Sequence, residues 1–298
     1  MKRVLFSLLL IILFQNSVQA VSVEELSKSV VLLRQQQQVV EMKNGKPFEV
    51  WYRDPASNKF EQRLEALSGT GFIILYHGRA YLVTAGHVAR ALSLPTAEIV
   101  MNLAEGKVMS STFGWLAEQK IIQGARWFHH PKADISVHPL AFIDPKLIDV
   151  RSIDETVFPK QKTNIPLLTT AYILGFPKYQ GVQENLSPLA KKAEIASKIT
   201  SVNDPSVPPE LKYIFLDQAL AQGYSGAPVF YFEEVPSGIS FAGKPMMVNG
   251  GLRLLGIQSS DLRDDTGGKL SLVVPIQYLW EILESEDFIK YEKSLEKK

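Results

Sequence analysis

The chain has 298 residues, 46% of them hydrophobic and 10% aromatic, enough to bury the core of one large domain or two small ones, so disorder is not its default. Lys and Arg number 32 against 31 Asp and Glu, and the resulting net charge of +1 marks out no nucleic-acid or anionic-membrane partner. The lack of cysteine excludes disulfides, thiol nucleophiles and thiolate metal sites, leaving stability to packing.

In chain order, Lys2 and Arg3, an apolar run from Val4 to Phe14 and a polar stretch ending Val18-Gln19-Ala20 follow the grammar of an export signal, with cleavage expected after Ala20. The run falls short of the ~20 apolar residues that span a bilayer, so no stable span is expected after cleavage, and the mature chain is expected to be periplasmic or secreted. Leu26, Val30, Leu33 and Val40 recur at helical spacing and predict an amphipathic helix over 23–42, inside an N-terminal extension covering 21–60. Gln35 to Gln38 reads as solvated surface.

From Gly69 the pattern changes to short β-type runs separated by turn residues, which suits barrels or sandwiches. Phe72 to Tyr76 and Ala80 to Thr84 flank His77-Gly78-Arg79, a hairpin signal. Further strands are expected over 98–103, 135–140, 167–174, 194–202, 213–216, 227–232, 253–257 and 270–274. Helical periodicity is nearly absent between Leu94 and Ser271. The segment 141–164 reads as a connection between two halves, and Pro275 to Leu283 as a helix opening near a proline.

Three segments carry chemistry together: Thr84-Ala85-Gly86-His87-Val88, Lys132-Ala133-Asp134-Ile135 and Gly223-Tyr224-Ser225-Gly226. They supply a base, an orienting carboxylate and a nucleophile. A serine hydroxyl attacks poorly unless its proton leaves, an imidazole can take that proton, and a carboxylate fixes the imidazole tautomer. Glycines beside Ser225 let the loop turn backbone N–H groups inward, so the amides of Gly223 and Ser225 are the candidates for an oxyanion hole. The α/β-hydrolase order of serine, acid, histidine is excluded because no histidine follows Ser225. There is no HExxH, GxGxxG or Walker-type loop. His129, His130 and His138 lack metal-ligand spacing and read as loop or surface residues, so neither metal nor cofactor is expected.

On these motifs, with Gly69-Thr70-Gly71-Phe72, Gly175-Phe176-Pro177, Gly256-Ile257-Gln258-Ser259 and Val274-Pro275-Ile276 in register beside them, the sequence resembles the trypsin-like serine proteases of chymotrypsin fold. The bacterial HtrA/Deg-type and glutamyl-endopeptidase-like branches are the most similar. The resemblance implies an all-β chain of two six-stranded Greek-key β-barrels, with an N-terminal helical extension and a C-terminal helix over 276–298. His87 and Asp134 would come from a first barrel over 61–150, and Ser225 from a second over 151–275. It also implies a serine endopeptidase acting on polypeptides through an acyl-enzyme, or a silent peptide-binding module of the same fold. Ala219 falls where the resemblance puts the base of the substrate pocket, with Gln258 and Ser260 as polar lining, which implies small or aliphatic side chains. Tyr224 stands where zymogen-activated members carry an Asp, so activation by pairing with a new N-terminus is not expected. No PDZ domain is expected after the final helix. Oligomeric state is left open.

Overall fold

The computed structural model describes residues 22–38, 40–43, 46–53, 58–62, 64–92, 94–119, 126–140, 148–158, 165–182, 184–202, 208, 210–241, 244–263 and 268–295. The expected export signal lies outside them, as does most of the connection expected over 141–164. Helix α1 (Val23–Ser27) opens on Ser22, whose side chain accepts from the Glu25 amide at 3.1 Å and caps the first turn.

The helix expected over 23–42 stops there. Val30, Val31, Leu32 and Leu33 are consecutive and all buried, which one face of a helix cannot achieve and a strand covered on both faces can. They belong to β1 (Val30–Gln38), which lies between its neighbours inside the first sheet rather than on its surface. An unbroken apolar run satisfies both periods, and pairing decided between them. Two short hairpins follow, β2 (Val40–Lys43) with β3 (Lys46–Glu49) and β4 (Trp51–Arg53) with β5 (Phe60–Gln62).

β6 (Leu64–Tyr76) and β7 (Arg79–Thr84) form the expected hairpin. Its turn residues His77 and Gly78 have φ of 48° and 73°, the two positive values that a twisted two-residue hairpin demands. Helix α2 (Gly86–Ala91), β8 (Glu98–Asn102), β9 (Val108–Thr112), helix α3 (Phe113–Glu118), β10 (Phe128–His129) and β11 (Ser136–Pro139) complete the first half. Its antiparallel sheet runs β10-β11-β7-β6-β1-β8-β9.

The second half comprises β12 (Thr170–Gly175), β13 (Leu189–Glu194), β14 (Thr200–Ser201), β15 (Lys212–Leu216), β16 (Pro228–Phe241), β17 (Lys244–Arg263) and β18 (Lys269–Pro275), ordered β13-β12-β16-β17-β18-β15-β14. Each sheet therefore has seven strands where six were expected, and each includes one member, β10 or β14, of two residues. The single strand expected over 194–202 is absent. Its ends instead belong to β13 and β14, and Ile195 makes an isolated bridge to Leu216.

Each half has an apolar cluster of its own, exemplified by Leu33, Ile73 and Leu82 in the first and by Ile173, Val229 and Leu255 in the second. A third cluster joins Phe72 and Val83 of the first sheet to Leu174, Phe230 and Leu254 of the second. Helices α4 (Gln277–Leu283) and α5 (Glu286–Leu295) close the chain, and Phe288 of α5 is fully buried against Tyr81 and Phe128 of the first sheet, with ring centroids 5.1 and 5.0 Å away. The C-terminus thus returns to the first half and seals it. Among the described residues no helix is long and apolar enough to cross a membrane.

Candidate active site

His87 is the second residue of α2, a helix whose N-cap, Ala85, has no side chain able to cap it. Asp134 replaces that cap. Its Oδ1 accepts the His87 backbone N–H at 2.7 Å, satisfying a donor that has no partner inside the helix, while its Oδ2 lies 2.7 Å from His87 Nδ1. One carboxylate thus fixes both the main chain and the ring of the same histidine. Burial works to raise the Asp134 carboxyl, but hydrogen bonds and charge from His87, joined by a hydrogen bond from Ser259, hold it below the ordinary carboxylate value. An ionised carboxylate only accepts, so Nδ1 of His87 carries a proton towards Asp134, and in the neutral ring Nε2 is the nitrogen that can accept.

The loop presenting Asp134 is organised by His130. Its Nδ1 accepts from the amides of Ala133, at 2.7 Å, and Lys132, at 3.1 Å, and its Nε2 lies 2.9 Å from Glu281 on α4. Of the histidines read as loop or surface residues, His130 lies in a loop and is buried, and His138 is buried on a strand. His138 lies on β11, covered on both faces between β10 and β7, and its ring meets Phe113 and Trp127 edge-on. His129, read in the same way, is exposed on β10, and its Nδ1 lies 2.7 Å from Ser136 Oγ. Among the described residues no group of three or more His, Cys, Asp or Glu could hold a metal ion.

Ser225 sits in the turn before β16, between Gly223 at φ 104° and Gly226 at φ 87°, conformations that only glycine adopts without strain. Gly226 has a second reason to lack a side chain, since a Cβ there would lie 2.1 Å from the Thr70 carbonyl oxygen. The loop is tied to the first sheet by Thr70. Its amide donates to the Ser225 carbonyl at 2.8 Å, and its hydroxyl donates to the Gly223 carbonyl at 2.8 Å and accepts from Phe176 N at 3.1 Å. Among the described residues neither the Gly223 nor the Ser225 amide donates to a protein acceptor, whereas the neighbouring Tyr224, Gly226 and Ala227 amides all do.

Ser225 and His87 line one cavity of about 390 Å³. The Ser225 hydroxyl donates to the Ser259 carbonyl at 3.2 Å. Ser259 Oγ in turn donates to Asp134 Oδ2 at 2.7 Å. Ser259 owes this position to an irregularity in the β17–β18 ladder, where Gln258 pairs with Val273 and Ser260 with Leu272, leaving Ser259 as the extra residue. Arg90 adds a longer contact, 3.4 Å from its Nη2 to Asp134 Oδ1.

The structure therefore brings His87, Asp134, Ser225, Gln258 and Ser260 to one place, since the last two also line the cavity. Ala219 does not line it. Its carbonyl accepts from Lys191 Nζ at 2.8 Å, and its neighbour Leu220 reaches the cavity instead. Sequence reasoning missed Thr70, Arg90, Ser259 and Asp261. Thr70 and Ser259 stand inside motifs that carried the resemblance, Gly69-Thr70-Gly71-Phe72 and Gly256-Ile257-Gln258-Ser259, but nothing local to either motif announces a partner.

Two antiparallel sheets, with the His87–Asp134 pair contributed by the first half and the Ser225 loop by the second, define an all-β fold of chymotrypsin-like plan. No protein-family model matches the chain, and no curated protein does. Among solved structures it is similar to an HtrA-type protease, AlgW, with decapeptide, at 18% identity and a TM-score of 0.49, over 88% of this chain and 66% of that one. It is similar to the MamO protease domain from Magnetospirillum magneticum at 13% identity and a TM-score of 0.49, over 88% and 98% of the two chains. Human heparin binding protein matches at 11% identity and a TM-score of 0.47, over 89% and 94%. The chain spans less than two thirds of the AlgW chains' length, 61% of another AlgW chain being covered. At these identities the likenesses concern the fold and assign no activity.

Proposed function

We propose that the chain is a serine endopeptidase with His87, Asp134 and Ser225 as its triad. Ser225 Oγ bonds to the carbonyl carbon of a peptide while its proton passes to His87 Nε2, and the free amides of Gly223 and Ser225 receive the oxyanion. Collapse breaks the C–N bond, the departing amine takes the proton from His87, and water repeats the sequence to release the acid and restore Ser225. Asp134 keeps Nδ1 of His87 engaged throughout, so that Nε2 takes the serine proton and, as the imidazolium, returns it to the leaving amine. What carries this reading is the 2.7 Å pairing of His87 Nδ1 with Asp134 beside a cavity that His87 shares with Ser225. Polypeptides are the proposed substrates, and the segment 1–20 supports export to the periplasm or beyond.

A second reading, a silent peptide-binding module, is favoured by one observation: the Ser225 hydroxyl donates to Ser259 and not to His87. A neutral hydrogen bond of 3.2 Å is weak enough for the hydroxyl to turn to His87 when substrate enters. Treating the purified protein with a fluorophosphonate probe, beside Ser225→Ala, and mapping the adduct by mass spectrometry separates the two. Labelling at Ser225 is expected, while a folded protein that does not label is a binding module.

A further inference from the structure

The segment between β10 and β11 that presents Asp134 is closed on a second histidine. His130 donates its own amide to the Ile135 carbonyl at 3.0 Å, and its Nδ1 accepts from the Lys132 and Ala133 amides at 3.1 and 2.7 Å. Its side chain is 6% exposed, and on the far edge of the ring Nε2 lies 2.9 Å from Oε2 of Glu281 on α4. Tyr278, one helical turn before Glu281 and so on the same face of α4, meets the His130 ring edge-on with centroids 5.0 Å apart. Amides only donate and an ionised carboxylate only accepts, so the neutral ring fits one way round, with its lone pair on Nδ1 and its proton on Nε2. His87 fits the other way round, its Nδ1 proton directed at Asp134. Two histidine–carboxylate pairs of opposite tautomer, His130 with Glu281 and His87 with Asp134, are thus joined through residues 132–134.

Resting on the endopeptidase reading, we infer that His130 is a positioning residue for the triad: its Nδ1 lone pair holds the two amides that lead into Asp134, and Glu281 on α4 keeps that lone pair turned towards them. Asp134 has to offer one oxygen to the His87 amide and the other to the His87 ring, which leaves its backbone little freedom. A misplacement of ~1 Å in a group that orients a reaction can slow it about 100-fold. An imidazole carries an acceptor and a donor on one rigid ring, so the seat of α4 on the first half is passed on to the carboxylate. No residue of α4 lines the cavity, and the helix acts on the site only through His130.

Asparagine and glutamine separate the two edges of the ring, because Asn Oδ1 takes the place of Nδ1 and Gln Nε2 that of Nε2. His130→Asn is expected to keep the rate of fluorophosphonate labelling at Ser225 within ~3-fold, and His130→Gln, the larger side chain and better space-filler, to lower it at least ~10-fold. NMR of the histidine ring nitrogens, which separates a protonated nitrogen from one with a lone pair, needs no turnover. The unsubstituted protein is expected to show His130 with its proton on Nε2 and His87 with its proton on Nδ1. His87 is expected to keep that form in His130→Asn and to become a mixture of both tautomers in His130→Gln. A proton on Nδ1 of His130, a His87 tautomer unchanged by His130→Gln, or labelling in His130→Asn no faster than in His130→Gln each overturns the assignment. If His130→Gln does not fold, the His130 tautomer and the His130→Asn rate decide. Expected tautomers in a protein that never labels sink the protease and spare the positioning role. Labelling that both variants leave at the unsubstituted rate does the reverse.

Discussion

Ser259, the unpaired residue in the β17–β18 ladder, donates a 2.7 Å hydrogen bond to Asp134 in the loop that leads into β11, so the carboxylate that orients His87 is itself held from the other half of the molecule. A hydrogen bond to a charged group contributes about 1.5–3 kcal/mol. Ser259→Ala is therefore expected to slow Ser225 labelling by roughly ten-fold or more with little change in fold.

The same variant has a pH signature. The Asp134 carboxyl is held below its ordinary value in the folded state, so its ionised form stabilises the protein above the unfolded carboxylate pKa, and that contribution is lost as pH falls through the lower folded value. With the Ser259 donor gone the folded value rises toward the unfolded one. The window of protection narrows, and unfolding of Ser259→Ala followed between about pH 3 and pH 7 should begin at the higher pH.

Thr70 supports the Ser225 loop with its hydroxyl, and valine has the same shape without it. Thr70→Val leaves the Gly223 carbonyl and the Phe176 amide without that partner in a buried place, a loss of about 2–4 kcal/mol. Chemical denaturation should report it, and labelling of Ser225 should fall with it. Thr70→Ser, which restores the hydroxyl, should recover most of both.

Gly226→Ala tests the close approach of the two halves. The added methyl would lie 2.1 Å from the Thr70 carbonyl and 2.2 Å from Thr84 Oγ1, on a backbone already at φ 87°. Strain at such a position is of order 1–3 kcal/mol before any clash is counted. A lower melting temperature and loss of labelling are expected, and a variant that labels at the native rate would contradict the geometry.

His138 gives an acid-sensitivity independent of the site. Burial pushes its pKa down to about 4, against a hydrogen bond to the Pro139 carbonyl that pulls it up. The unfolded chain binds this proton near ~6.5, so stability is full above that pH and falls as pH drops toward 4, by about 3 kcal/mol at most. His138→Phe should flatten the difference in melting temperature between about pH 7.5 and about pH 4.5. An unchanged difference would place the acid sensitivity elsewhere.

Much of the site was legible because its requirements are local. A glycine on each side of Ser225, with one residue between it and Gly223, is a demand of the turn itself, and His77-Gly78 is a demand of a two-residue hairpin. Strands with alternating or apolar runs, such as β12, β15 and β18, showed their period. β13 did not, because Leu189-Ala190-Lys191-Lys192-Ala193-Glu194 lies at the sheet's edge, where exposed lysines are favoured and the apolar pattern is thin.

By itself the sequence determined which residues could do acid–base and nucleophilic chemistry, and in which order along the chain they stand. Tertiary structure decided what holds them. Val30 to Gln38 became a strand because β6 and β8 were there to pair with it. Thr70 reached Gly223 across 153 residues, and Ser259 reached Asp134 across 125. Asp261 rather than Ala219 faced the cavity because the β17–β18 pairing turned it there. Turn and helix signals act over a few residues and are written in local residue types. Hydrogen bonds between two sheets depend on how the sheets pack, and no local pattern records that.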